Sequence, residues 1–175
     1  MRALVAAVLL VSTTAVADPV SRLAVTGGRR TTFGRVGETW SSGWTRGVEA
    51  GYQPSWVGVA WALLWTTLAP ESDVVTTREV DTWQIDVAAR FRARLPLGLP
   101  AQTFLYTQLG GTLMRSNIPL TGDGGAGSFG AIAGAGFEVA IGGVQIGLGI
   151  GGEVHPGGPT SLDVRLSIGY GRVTR

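Results

Sequence analysis

From Thr82 to Leu95, apolar and polar residues alternate almost without interruption. Trp83, Ile85, Val87, Ala89, Phe91, Ala93 and Leu95 form one set; Thr82, Gln84, Asp86, Ala88, Arg90, Arg92 and Arg94 form the other. A repeat of two puts these sets on opposite faces of a single β-strand. The apolar face carries a ring near each end, Trp83 and Phe91, and the opposite face carries three arginines. A strand with hydrocarbon outside and a polar lumen inside reads this way.

Composition narrows the choice. Hydrophobic residues make up 45% of the chain and charged residues 15%, against about 25% charged in an ordinary soluble domain. Past the N-terminus the longest apolar candidate, Trp56–Leu68, has only 13 residues, short of the ~20 that a spanning helix needs. An apolar chain without such a helix points to the other structure that hydrocarbon permits, a closed barrel. Ser128–Gly152 is glycine-rich enough for a packed helical hairpin, but it too alternates with period two, which favours strands.

The N-terminus supplies an address. Met1-Arg2, an apolar run from Ala3 to Val16 and the small-residue site Ala15-Val16-Ala17 form the pattern of a cleavable secretory signal peptide. Residues 1–17 are therefore expected to be removed, leaving 18–175 as one barrel domain. Without cysteine there is no lipoprotein anchor and no disulfide scaffold. With one histidine and scattered carboxylates, no metal site is expected. Gly122–Gly127 lacks the lysine and following helix of a phosphate loop, and no cofactor is expected. All 14 basic residues are arginines, and with Arg2 in the leader 13 stand against 12 carboxylates. That balance excludes the clustered basic face of a nucleic-acid binder.

Eight alternating segments are legible, at about 21–30, 42–52, 56–66, 82–95, 101–114, 128–140, 144–154 and 161–173. Connections after the second, fourth and sixth are short; those after the first, third, fifth and seventh are longer and polar or glycine-rich. Short turns belong on the periplasmic side with both termini, and long loops outside. The expected fold is all-β: an eight-stranded antiparallel up-and-down transmembrane β-barrel. Trp44 and Tyr52, Trp83 and Phe91, and Phe129 and Phe137 are each eight residues apart on outward faces. Together with Trp65 above and Tyr170 below, they are expected to form two aromatic girdles roughly 20 Å apart.

The inward faces collect Glu49, Asp86, Arg90, Arg92, Arg94, Glu138, Glu153, Asp163 and Arg165. Interior charges must be paired and hydrogen-bonded, and an eight-stranded barrel is just wide enough for side chains to fill. A polar plug is the expected result, and a gate whose ion pairs exchange partners is the alternative. Phe104 and Tyr106 are expected to point inward and cover Gly134 and Gly136.

On this architecture, and on no specific motif, residues from about Asp18 to Val173 resemble the small eight-stranded barrels of the outer-membrane protein A and X type. Such barrels usually end on an aromatic residue; here the last one is Tyr170. The resemblance implies a bacterial outer-membrane protein, monomeric and embedded in outer-membrane lipid. It implies a structural or surface-interaction role, with the long loops as the place for an extracellular ligand. A narrow solute pore is the alternative, and a lipid A-modifying enzyme the second. Barrel deacylases and palmitoyltransferases use a histidine with serine and a carboxylate near the outer rim. His155 lies near Glu153, Ser161 and Asp163, but without a family motif it reads as an inert, exposed loop residue. Arg29, Arg30 and Arg35 cluster near the first external loop, where the two readings are a hold on lipid phosphates and a solvated loop.

Overall fold

A computed structural model describes residues 20–70, 79–97, 101–118 and 127–173. The signal peptide expected over 1–17 lies outside the described residues. Eight antiparallel strands run in chain order: β1 (Val20–Phe33), β2 (Ser42–Gln53), β3 (Val57–Ala69), β4 (Val80–Leu95), β5 (Gln102–Ser116), β6 (Gly127–Ile141), β7 (Val144–Val154) and β8 (Thr160–Val173). Each pairs with its chain neighbour, and β8 pairs back onto β1 to close the barrel.

The strand boundaries follow the alternation closely. β1 runs three residues beyond its expected end and then makes one helical turn, Gly34–Gly37. Trp56 falls in the turn before β3, where its ring meets Phe91 at 5.8 Å. The tightest connection is Gly142-Gly143, with φ of 57° and 93°. Both residues need the left-handed region, as a two-residue hairpin turn with the twist of its strands requires.

Register fixes the barrel's shape. Partner by partner from Tyr170, the path crosses Leu23, Ala50, Trp61, Val87, Gly111, Ala131 and Val154. It returns to β8 at Thr160, ten residues from its start. With ~3.3 Å of rise per residue and ~4.7 Å between strands, that stagger tilts the strands by about 40° from the axis. The wall then lies only about 8 Å from the axis, so inward side chains meet across the lumen.

Exposure alternates as the period requires. Leu23, Val25, Val59, Val87, Leu109, Ile150, Leu166 and Ile168 face outward, while Thr26, Thr45, Gln84, Asp86, Arg90, Arg92, Glu138 and Glu153 are buried inside. Toward the long-loop end the interior changes character. Val36, Leu68, Val80 and Met114 form a buried apolar cluster, with Trp40 and Ile118 packed against it. Leu68, Val80 and Met114 stand on inward strand positions; Val36 belongs to the helical turn and Trp40 to the segment after it. The lumen is thus capped by hydrocarbon at the long-loop end.

Candidate functional site

Below that cap the lumen holds two tiers of charge. In the tier nearer the cap, Arg30 is only 2% exposed. Its Nε donates to Asp163 Oδ1 at 2.8 Å and its Nη2 to Oδ2 at 2.9 Å, a two-pronged pair. Nη1 donates to Gln84 Oε1 at 2.7 Å and lies 2.9 Å from Glu153 Oε1. The Gln84 amide donates to Glu153 Oε2 and Asp86 Oδ1, both at 2.7 Å. Ser161 Oγ donates to Glu153 Oε1 at 2.7 Å. Arg165 approaches Asp86 more loosely, at 3.9 Å.

The tier nearer the termini is built around Glu138, itself 2% exposed. Its Oε1 accepts from Arg22 Nη1 and from Arg90 Nη1, the latter at 3.2 Å; its Oε2 lies 3.4 Å from Arg92 Nε. Glu49 adds longer pairs, 3.7 Å to Arg22 and 3.9 Å to Arg90. Arg22 Nη2 also donates to Ser167 Oγ at 2.6 Å, and Arg90 Nη2 to Gln108 Oε1 at 2.9 Å. Two guanidiniums lie over rings: Arg92 over Phe104 at 3.5 Å and Arg90 over Tyr106 at 4.4 Å.

Of the nine lumen charges expected from the sequence, eight are brought together here. Arg94 is the exception: it stands on an inward position but is exposed near the short-turn end, because β4 ends one residue later. Arg22 and Arg30 were not anticipated. They share one face of β1 with Ala24, Thr26 and Thr32, all buried, and that alternation was the available signal. Arg30 is therefore not a loop residue holding phosphate. Arg29 does face outward, donating to Ser42 Oγ at 2.9 Å and lying 5.9 Å from the Trp44 ring.

His155 also departs from expectation. It follows β7 directly and is 2% exposed rather than solvated. Its backbone closes a turn, the amide donating to Pro159 O at 3.1 Å and the carbonyl accepting from Gly158 N at 2.9 Å. Nδ1 lies 2.9 Å from Ser128 Oγ. Nε2 lies 3.8 Å from Glu153 Oε1 and has no hydrogen-bond partner among the described residues. Burial pushes the imidazole below its usual pKa, with Glu153 opposing and Arg30 reinforcing the shift.

The expected covering of glycines is half right. Both rings point inward, and Tyr106 lies against Gly136, where an added Cβ would come within 2.6 Å of its hydroxyl. Phe104 instead lies under Arg92, and Gln108 takes the place beside Gly134, 3.4 Å from where a Cβ would stand.

On the exterior, Trp44, Tyr52, Trp65, Phe91, Phe129, Phe137 and Tyr170 are exposed and Trp83 is partly so. Correcting for the stagger sets Trp44, Trp65, Trp83 and Phe129 at one level of the wall. Tyr52, Phe91, Phe137 and Tyr170 share a second level, about 20 Å from the first along the axis.

Solved structures share this architecture. Ail, the attachment invasion locus protein of Yersinia pestis, solved with the heparin analogue sucrose octasulfate, matches with a TM-score of 0.61 and 13% identity, over 89% of this chain and 100% of that one. The N-terminal β-barrel domain of Pseudomonas aeruginosa OprF matches at 0.56 and 15% identity, over 90% and 100%. The outer membrane protein OprG of the same organism matches at 0.56 and 12% identity, over 89% and 95%. No protein-family model and no curated protein matches the sequence. At these identities the likeness is one of fold, and the fold is that of the small eight-stranded outer-membrane barrels.

Proposed function

We propose that this chain is a monomeric integral protein of the bacterial outer membrane, with a structural or surface-interaction role and a closed lumen. One observation carries the reading: an exterior bounded by two aromatic levels, apolar except for Thr107 and, one strand repeat below Trp44, Arg46, surrounds an interior filled by paired charge. An apolar band about 25 Å tall between aromatic girdles is what a lipid-spanning barrel presents. The common architecture with Ail, OprF and OprG supports the same location.

The plug is favoured over a pore because two different obstructions stand in series. The apolar cluster of Val36, Leu68, Val80 and Met114 blocks one end, and the Arg22–Glu138–Arg90 tier fills the other. Surface interaction falls to the loop end, opposite the termini. Ail binds a polysulfated ligand in its crystal; on this chain the outward Arg29, beside Trp44, offers an anion-seeking group at the upper aromatic level.

We assign His155 a structural role rather than lipid A chemistry. Its ring is sealed inside the barrel, and the nearest carboxylate already accepts from Ser161 and Arg30.

The decisive experiment uses the purified protein and cells that express it. Outer-membrane fractionation, a heat-modifiable gel band, silence in planar-bilayer recordings and an unaltered lipid A profile by mass spectrometry are expected. Reproducible discrete conductance would replace the plug with a pore; recovery only from soluble periplasm would remove the membrane reading altogether.

A further inference from the structure

The two tiers are not separately neutral. Near the cap, Arg30 and Arg165 face Asp86, Glu153 and Asp163, one carboxylate too many. Near the termini, among the described residues, Arg22, Arg90 and Arg92 face only Glu49 and Glu138, one guanidinium too many. Glu49 sits 3.7 Å or more from either of its arginines, so Glu138 alone holds the three closely. Arg92 is the least provided for. It lies 3.4 Å from Glu138, against the Phe104 face, with 3% of its side chain exposed.

Several donors there are unused. Arg92 Nε and Nη2, Arg22 Nε and Arg90 Nε are buried without a hydrogen-bond partner among the described residues. The three arginines line one cavity of about 20 Å³, which also touches Glu138 and Gln145. A cavity of that size holds a particle of one to two waters. Gln145 presents an unpaired carbonyl oxygen to the same region; turning the amide over exchanges it for an N–H group. A buried positive charge in excess, with unpaired N–H groups, is costly unless something negative or strongly polar meets it.

We propose that this chamber is a binding site for a small monovalent inorganic anion of the chloride class, held chiefly by Arg92 with Arg22 and Arg90. The ion supplies the negative charge that the tier lacks and accepts the donors that Glu138 cannot reach. The site does not depend on the assignment of a cellular role, since it rests on the lumen alone.

The test uses the intact barrel refolded in detergent, with chloride and bromide as probes. Chloride-35 NMR should show line broadening by the wild-type protein that bromide competes away. Arg92→Gln should lose that excess broadening, and Arg94→Gln, whose side chain lies outside the chamber, should keep it. Crystals soaked in bromide should show an anomalous peak among Arg22, Arg90 and Arg92. That map needs no variant to fold. A peak only at exposed arginines, or no peak in the chamber, overturns the proposal, as does broadening that Arg92→Gln leaves unchanged.

Discussion

Glu138 is the residue on which the lower lumen turns, because three guanidiniums approach its two oxygens. Glu138→Gln removes the charge and leaves the arginines mutually repelling in a buried space. Breaking a buried pair from one side costs about 3–5 kcal/mol, and urea unfolding in lipid vesicles should register a loss of that order. His155 gives a different signature. Its folded pKa is depressed by burial, so below about pH 6.5, the ordinary value, the unfolded chain binds a proton that the folded chain refuses. Stability should therefore fall as pH drops from about 7 toward 5, and His155→Gln should flatten that slope in unfolding measured across the same range. The histidine's burial was not readable from its neighbours: His155-Pro156-Gly157 has the composition of an exposed turn. What seals it is Ser128, 27 residues away on another strand.

At the scale of the strand, the outward faces were the most legible part of the chain. Every strand advances by a nearly constant rise, so an eight-residue spacing of rings converts directly into a height on the wall. The levels of Trp83 and Phe91 on β4 follow from that alone. Midway between them stands Val87, 53% exposed. In the proposed membrane, Val87→Arg puts a guanidinium at the centre of the hydrocarbon and should cost about 2–4 kcal/mol. Thr67→Arg, at the upper aromatic level and beside Asp81, should cost about 0–1 kcal/mol. Equal costs in vesicle unfolding would mean that the exterior does not meet a bilayer. Inner faces were less legible. Leu68, Val80 and Met114 are apolar where an aqueous lumen calls for polar groups, and their reason is Val36 and Trp40, delivered from the first long connection.

Across the whole molecule, the strand count and the closure were readable but the pairing of charges was not. Which arginine meets which carboxylate depends on the ten-residue stagger, a property of the closed wall and of no single segment. Arg22 meets Glu138 across 116 residues of sequence, and Arg30 meets Asp163 across 133. Alternation identified both faces of β4 and every acid of the two tiers, yet it carries no information about rotation around the axis. The excess of one sign at each end follows from the same geometry, for it becomes visible only once heights are known.

Both unanticipated arginines lie on β1, and their principal acceptors lie on β6, β7 and β8. The first strand to leave the biosynthetic machinery thus carries two cations whose counter-charges arrive last. A partly assembled sheet, however well hydrogen-bonded, leaves Arg22 with the longer Glu49 contact and Arg30 with Gln84 in place of these carboxylates, and its late strands hold Asp163 without Arg30. Full neutralisation of the two cations of β1 coincides with zipping the β1–β8 seam. Assembly on this plan has little to gain from stopping early: the last pairing event is also the one that gives the cations of β1 their carboxylates, which ties closure to the completion of folding.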